Sequence, residues 1–95
     1  MVTAVVLIDA KRGMVNAAAQ ALVALDGVAE VYSVAGHVDL VAILRATDTE
    51  ALADLVTGPM LEIDGIEKTT TLFALRAQSR YDLERMFAIG MDEPE

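Results

Sequence analysis

Few side chains of this 95-residue sequence have the types and spacing that catalysis requires. His37 is the single histidine, and there is no cysteine and no tryptophan. A chain without cysteine has no thiolate metal site, no cysteine nucleophile and no disulfide framework. No two carboxylates have the spacing of a general acid and its base, so the inventory argues against an enzyme and predicts no catalytic residue, metal or cofactor.

Gly36 and Asp39 are the unusual residues of the segment around His37. We expect Gly36 to adopt a positive φ in a tight turn, with ligand contact as a second possible role. Asp39 opens an apolar strand, where a carboxylate either bonds backbone amides or contacts a ligand. His37 is expected to be a solvated turn residue, and the alternative is a pH-dependent or ligand-binding role.

Hydrophobic spacing predicts the order strand, helix, strand, strand, helix, strand. The strands are predicted at 2–8, 28–35, 38–46 and 68–75, and the first helix at 14–26, before Gly27. The second helix has N-cap candidates at 47–49 and ends at Gly58-Pro59, with a further turn near 60–63. Thr69, Thr70 and Thr71 suit an edge strand through their β-propensity.

An internal repeat supports this order. The tetrapeptide at 25–28, Leu-Asp-Gly-Val, recurs 38 positions later as Ile-Asp-Gly-Ile. Two similar βαβ halves predict a two-layer α+β fold of the ferredoxin-like βαββαβ type. Right-handed crossovers place the first and third strands at the centre of the sheet.

Both central strands are apolar on both of their faces. Val5, Leu7, Val41 and Ile43 form one of these faces, the second apolar face of the sheet. A monomer would expose this second face as an apolar patch larger than most soluble monomers carry. Pairing of two sheets face to face, as in a dimeric α/β barrel, would cover the patch. We therefore expect an obligate oligomer.

Composition restricts the class of protein further. The hydrophobic content of 55% in 95 residues predicts one compact domain. The net charge of −8 argues against direct binding of nucleic acid. No apolar run approaches a membrane span, and no basic segment precedes the first strand as in a secretory signal. These features predict a cytoplasmic protein that does not bind membranes.

Several short motifs together resemble the effector-binding domain of Lrp/AsnC (feast/famine) transcriptional regulators, also called the RAM domain. They are Asp26-Gly27-Val28, Gly36-His37-Val38-Asp39-Leu40, Asp64-Gly65-Ile66 and Thr69-Thr70-Thr71. The resemblance covers roughly residues 2 to 75. The helix-turn-helix of that family is absent, so the resemblance indicates a stand-alone version that could assemble with full-length regulators.

The resemblance implies dimers formed through the sheets, rings of dimers such as octamers, and an amino acid or related metabolite bound between dimers. The positions that match the family's pocket are Ser33, Ala35, Gly36, His37, Asp39, Thr69 and Thr71. By this resemblance, Gly36 offers backbone amides to a ligand carboxylate and Asp39 receives the ammonium group. Thr69 and Thr71 contribute hydroxyls near the same cleft.

Val38 departs from the family, which often has an aromatic residue directly before the aspartate. The departure indicates either a remodelled pocket or a lost one, so a structural oligomer without ligand remains an alternative. A cofactor-free enzyme of the dimeric α+β barrel type is the other alternative. We assign 1–77 to the ligand-binding domain and 78–95 to an extension. In this extension, Ser79 is expected to cap a short helix that docks on a neighbouring subunit and closes the ligand cleft; the alternative is a frayed acidic tail.

Overall fold

The computed structural model describes residues 1–78 and residue 80. It contains four strands, two α-helices and a short 3₁₀ helix in the predicted order. They are β1 (Val2–Ala10), α1 (Val15–Val23), β2 (Val28–Ser33), β3 (Leu40–Ala46), α2 (Thr49–Thr57), the 3₁₀ helix η1 (Pro59–Glu62) and β4 (Ile66–Phe73).

The strands form one sheet in the order β2-β3-β1-β4, and every neighbouring pair is antiparallel. The first and third strands are therefore central, as the sequence predicts. At the middle of the sheet Val6 lies opposite Ala42 on one side and Thr71 on the other. This arrangement confirms the ferredoxin-like βαββαβ fold.

The core lies between the helices and one face of the sheet. In β1 the fully buried Ala4, Val6 and Ile8 alternate with half-buried residues that point to the opposite face. The rest of the core comes from β3, both helices and η1, namely Ala18, Leu22, Leu40, Ala42, Leu44, Leu52, Leu55 and Met60. Burying one such leucine contributes roughly 1.5–3 kcal/mol, so this layer stabilises the sheet and the site at its end.

The two helices begin in different ways. Asp48 has an extended backbone and its carboxylate accepts a hydrogen bond from the Ala51 amide at 2.8 Å, which is a standard N-cap for α2. Met14 precedes α1 without any side-chain cap. Packing of Ala18 and Leu22, one turn apart on the buried face, must therefore hold α1 in place.

Several helices and strands begin or end at other residues than the sequence predicts. The first helix was predicted to reach residue 26 but ends at Val23, because the chain turns through Leu25 and through Gly27 at φ 96°. Gly58 ends α2, and Pro59 begins the 3₁₀ turn that the sequence predicted near 60–63. β1 extends to Ala10, while β4 starts and ends two residues earlier than predicted.

The connection between β2 and β3 is longer than predicted. The sequence favoured a two-residue turn at Gly36-His37, but residues 34–39 are all outside the strands. The expected positive φ at Gly36 is wrong, since positive φ occurs at Gly13 and Gly27 among the described glycines. A six-residue loop reverses the chain over several residues, so no single position has to adopt a left-handed conformation.

The prediction of a capped helix in 78–95 falls almost wholly outside the described residues. Within the described part of the chain, no helix is long and apolar enough to cross a membrane.

Candidate functional site

The loop 34–39, hereafter the β2–β3 loop, is tied to the end of the sheet by backbone hydrogen bonds. The Val34 amide donates to the Asp39 carbonyl at 3.0 Å, which closes the loop on itself. The Asp39 amide donates to the Ile8 carbonyl at 2.9 Å, which joins the loop to β1. The base of the loop is therefore held by its own closing bond and by the central strand β1.

The side chain of Asp39 makes a hydrogen bond to a residue that is distant in sequence. Its Oδ2 accepts a hydrogen bond from the Ala10 amide at 2.9 Å, across 29 positions of sequence and in a partly buried setting. The carboxylate thus bonds a backbone amide, which was one of the two predicted roles, but the amide belongs to β1 and not to the turn. Among the described residues Oδ2 carries this bond, so Oδ1 can accept another donor.

The other predicted loop residues are exposed. Ser33, Ala35, Gly36 and His37 all lie at the surface. A Cβ added to Gly36 would meet no atom within 4 Å, so the backbone around it is open to approach. Ser33 is the last residue of β2 and lies opposite Leu40, whereas the other three belong to the same loop as Asp39.

The two predicted threonines lie on the other side of β1. Thr69 pairs with Ile8 and Thr71 with Val6, so both share the helix-covered face of the sheet and are half-buried. Thr70 pairs with Leu7 and is exposed on the opposite face. The Ile8 carbonyl accepts the Asp39 amide, so Thr69 lies at the same end of β1 as Asp39, and Thr71 one pair of residues further in.

The face of the sheet that carries no helix is called here the open face. Cross-strand pairing aligns Tyr32, Val41, Leu7 and Thr70 in one row and Glu30, Ile43, Val5 and Leu72 in the next. Tyr32 and Leu72 are 49% and 50% exposed, and the four aliphatic residues of the central strands are half-buried. The predicted second apolar face is thus present.

Sequence reasoning missed the polar edge of the open face. The Tyr32 hydroxyl donates to Glu30 Oε2 at 3.0 Å. This hydrogen bond, together with the negative charge of Glu30, raises the pKa of Tyr32, while the positive charge of Arg45 opposes the shift. Glu30 and Tyr32 are two positions apart on one strand and so share a face, which was the available signal.

Metal binding finds no support in residues 1–78 and 80, where no three histidine, cysteine, aspartate or glutamate side chains are grouped as a metal site would require. The candidate site instead offers the anchored carboxylate of Asp39 and the exposed residues of the β2–β3 loop. These groups can bind a small polar molecule by hydrogen bonds and charge.

Comparison with known proteins identifies the family. The family model described as Lrp/AsnC ligand binding domain matches residues 3–82. No curated protein matches the chain.

Solved structures agree with the family match. TTHA0845 of Thermus thermophilus is 49% identical, with a TM-score of 0.79 over 84% of this chain and 100% of its own. Escherichia coli AsnC is 26% identical, with a TM-score of 0.77, and is matched over 82% of this chain but 53% of its own. NMB0573 of Neisseria meningitidis, solved with L-Met, shares the fold at 16% identity and a TM-score of 0.74, over 83% of this chain and 53% of its own. The chain belongs to the Lrp/AsnC ligand-binding domain family.

Proposed function

We propose that this chain is a regulatory sensing module that binds an amino acid or a related metabolite and assembles with copies of itself through the open face. The family is one of regulatory ligand-binding domains and not of enzymes. The observation that carries the ligand proposal is the Asp39 carboxylate, fixed by the Ala10 amide at 2.9 Å. We propose the cytoplasm as its location, because the chain has no cysteine and the family includes transcriptional regulators.

Asp39 suits an ammonium group for two reasons. A carboxylate that already accepts one backbone amide is held in a single orientation, so little conformational entropy is lost when a ligand binds. Partial burial strengthens a charged hydrogen bond to the remaining oxygen. The backbone amide of Gly36, an exposed residue of the β2–β3 loop, is proposed to bind the carboxylate of the same ligand. Thr69 and Thr71 are proposed to add hydroxyls from the other side of β1.

Two properties of neighbours in structure agree with this proposal. NMB0573 was solved with L-Met, so the same fold accommodates an amino acid in that protein. TTHA0845 is matched over its whole length, so a chain of this size also occurs elsewhere. We propose that residues 1–77 form the ligand-binding domain, with 78–95 as an extension, and that dimers form larger rings or join full-length regulators.

The first experiment measures ligand binding. The full chain is screened by thermal shift against each of the twenty amino acids, where a ligand at about 100 times its dissociation constant stabilises the protein by about 2.7 kcal/mol. Asp39→Asn keeps an oxygen acceptor for the Ala10 amide but removes the charge, so it should fold normally and lose the shift. The N-acetylated form of the active amino acid, which lacks the ammonium group, should also give none.

A structural oligomer without ligand is the competing function, and the half-buried Val38 favours it because the family often has an aromatic residue there. That function predicts no thermal shift with any amino acid while the oligomer remains intact. A shift that survives in Asp39→Asn would retain the sensing function but exclude Asp39 as the ammonium acceptor.

A second experiment measures assembly. Ile43→Lys places a charge at the centre of the open face and should convert the oligomer to monomers or smaller units in native mass spectrometry. Leu61→Lys is the matched control, because Leu61 is 60% exposed in η1 on the helix layer. Equal masses for the two variants and the parent chain would contradict assembly through the open face.

A further inference from the structure

The charges of the chain are distributed unevenly between its two faces. The net charge is −8, yet the strand register places two acids and two bases on the open face. They are Glu30 in the row of Ile43, Arg45 opposite Thr3, and Asp9 opposite Lys68. The open face is therefore electrically balanced.

The helix layer and the turns beside it are strongly acidic. Between residues 46 and 67 there are six acids and no base, and all six acids are exposed. They are Asp48, Glu50, Asp54, Glu62, Asp64 and Glu67. Lys11 contacts one of them, with its Nζ 3.4 Å from Asp64 Oδ1. Two copies approaching through these surfaces would repel each other more strongly than two copies approaching through their open faces.

One corner of the open face combines charge with a defined hydrogen bond. Tyr32 donates to Glu30 Oε2 at 3.0 Å, and the pair lies at the edge of the two apolar rows. Arg45 follows Ile43 by two positions on the neighbouring strand, so it shares the open face with Glu30. The positive charge of Arg45 lowers the pKa of the Tyr32 hydroxyl, against the larger effect of Glu30.

We propose that Glu30, Tyr32 and Arg45 form a polar corner that makes the open face selective for a second copy of this chain. The proposal rests on the self-assembly proposed above and names the residues that choose the partner. Burial of an acid on the open face is tolerated when a base and a hydroxyl are buried with it. A charge without its partner on that face would oppose pairing.

A second copy fits this face better than a partner of another charge. A basic protein would be attracted to the six acids of the helix layer and not to a balanced, apolar surface. A copy of this chain brings an apolar centre of the same kind and corners that each contain an acid and a base.

The experiment compares charge reversals in the full chain by sedimentation equilibrium, with circular dichroism to verify folding. Glu30→Arg should raise the dissociation constant of the pairing about tenfold or more, which corresponds to about 1.4 kcal/mol. Asp54→Arg is the control, since it changes the net charge equally on the exposed side of α2 and should not weaken pairing. The swapped variant Glu30→Arg with Arg45→Glu should recover most of the affinity.

The outcomes separate this inference from the proposed assembly. If the parent chain is a monomer, the proposed assembly itself fails. If the parent pairs but Glu30→Arg and Asp54→Arg give equal dissociation constants, the polar corner has no role and this inference is overturned. Weakening by Glu30→Arg without recovery in the swapped variant would also overturn it, because the acid and the base would then not act as a pair.

Discussion

Asp39 joins two parts of the chain that are distant in sequence. Its main chain bonds Ile8 and Val34, and its side chain bonds the Ala10 amide. The same residue therefore bonds the last residue of β1, anchors the β2–β3 loop and presents a carboxylate beside that loop. A role in folding and a role in binding are compatible here, because the two carboxylate oxygens can serve different donors.

Substitutions of Asp39 should distinguish its role in folding from its role in ligand binding, because they change stability by different amounts. Asp39→Ala leaves the partly buried Ala10 amide without its acceptor and should lower the free energy of unfolding by about 1–3 kcal/mol. Asp39→Asn should lower it by less than about 1 kcal/mol, because an amide oxygen can replace the carboxylate oxygen. Urea unfolding measures both. Asp64→Ala, which removes an exposed ion pair, is the control and should change stability by less than about 1 kcal/mol.

Three glycines offer a second test at the residue scale. Gly27 has φ 96° and an added Cβ would lie 2.9 Å from Leu55 Cδ2, whereas Gly13 has φ 79° with no atom within 4 Å. Gly13→Ala should destabilise by about 1–2 kcal/mol through the backbone alone. Gly27→Ala should cost more, because crowding of Leu55 adds to the same backbone term.

Gly36→Ala, unlike the other two substitutions, should not destabilise the protein. Its φ lies outside the left-handed region and its surroundings are open, so alanine should be neutral or stabilise by up to about 1 kcal/mol through the unfolded chain. Thermal unfolding of the three variants gives the comparison. Strong destabilisation by Gly36→Ala would show that the β2–β3 loop does not tolerate a Cβ at this position.

At the scale of elements, the two helices depend on different interactions. Residues 15–23 contain no charged side chain, and α1 has no side-chain cap. α2 begins at a capping aspartate and carries Glu50 in its first turn, where a negative charge interacts favourably with the helix dipole. Local interactions therefore stabilise α2, while α1 relies on tertiary packing.

Asp48→Ala should lower stability by about 0.5–2 kcal/mol, because the Ala51 amide loses its side-chain acceptor. Asp48→Ser should retain most of the stability, since serine is also a good N-cap. Chemical unfolding of both variants provides the measurement. Equal losses for alanine and serine would mean that the charge of Asp48, and not its hydrogen bond, stabilises α2.

The elements themselves were largely predictable from the sequence. Both central strands were identifiable from apolar runs such as Val5 to Ile8, and the internal repeat indicated the topology. The site was less predictable, because the bond from Asp39 to Ala10 links residues that no periodicity relates. The strand register that pairs Thr69 with Ile8 and Thr71 with Val6 likewise leaves no pattern in the sequence.

At the scale of the whole molecule, acidic charge surrounds an electrically balanced open face. Pairing of two such chains brings two charges of −8 together, and repulsion between the exposed acids opposes it over the Debye length. That length falls from about 30 Å at 0.01 M salt to about 10 Å at 0.1 M. Salt would have much less effect on the dehydrated apolar centre between two paired open faces.

We therefore expect pairing to strengthen with added salt. Between roughly 0.01 M and 0.1 M sodium chloride, the dissociation constant measured by sedimentation should fall. The variant Asp54→Arg, which carries less negative charge, should show a smaller dependence. A dissociation constant that rises with salt would indicate that attractive ion pairs between subunits dominate the association.

The position of β1 between β3 and β4 has a consequence during synthesis of the protein. β1 is translated before both of its partners, which lie at Leu40–Ala46 and Ile66–Phe73. Its most buried residues, including Val6 and Ile8, thus remain unpaired while much of the remaining chain is made. The β2–β3 pair is local and can form earlier, so the nascent N-terminal strand is the segment that a chaperone would have most reason to bind.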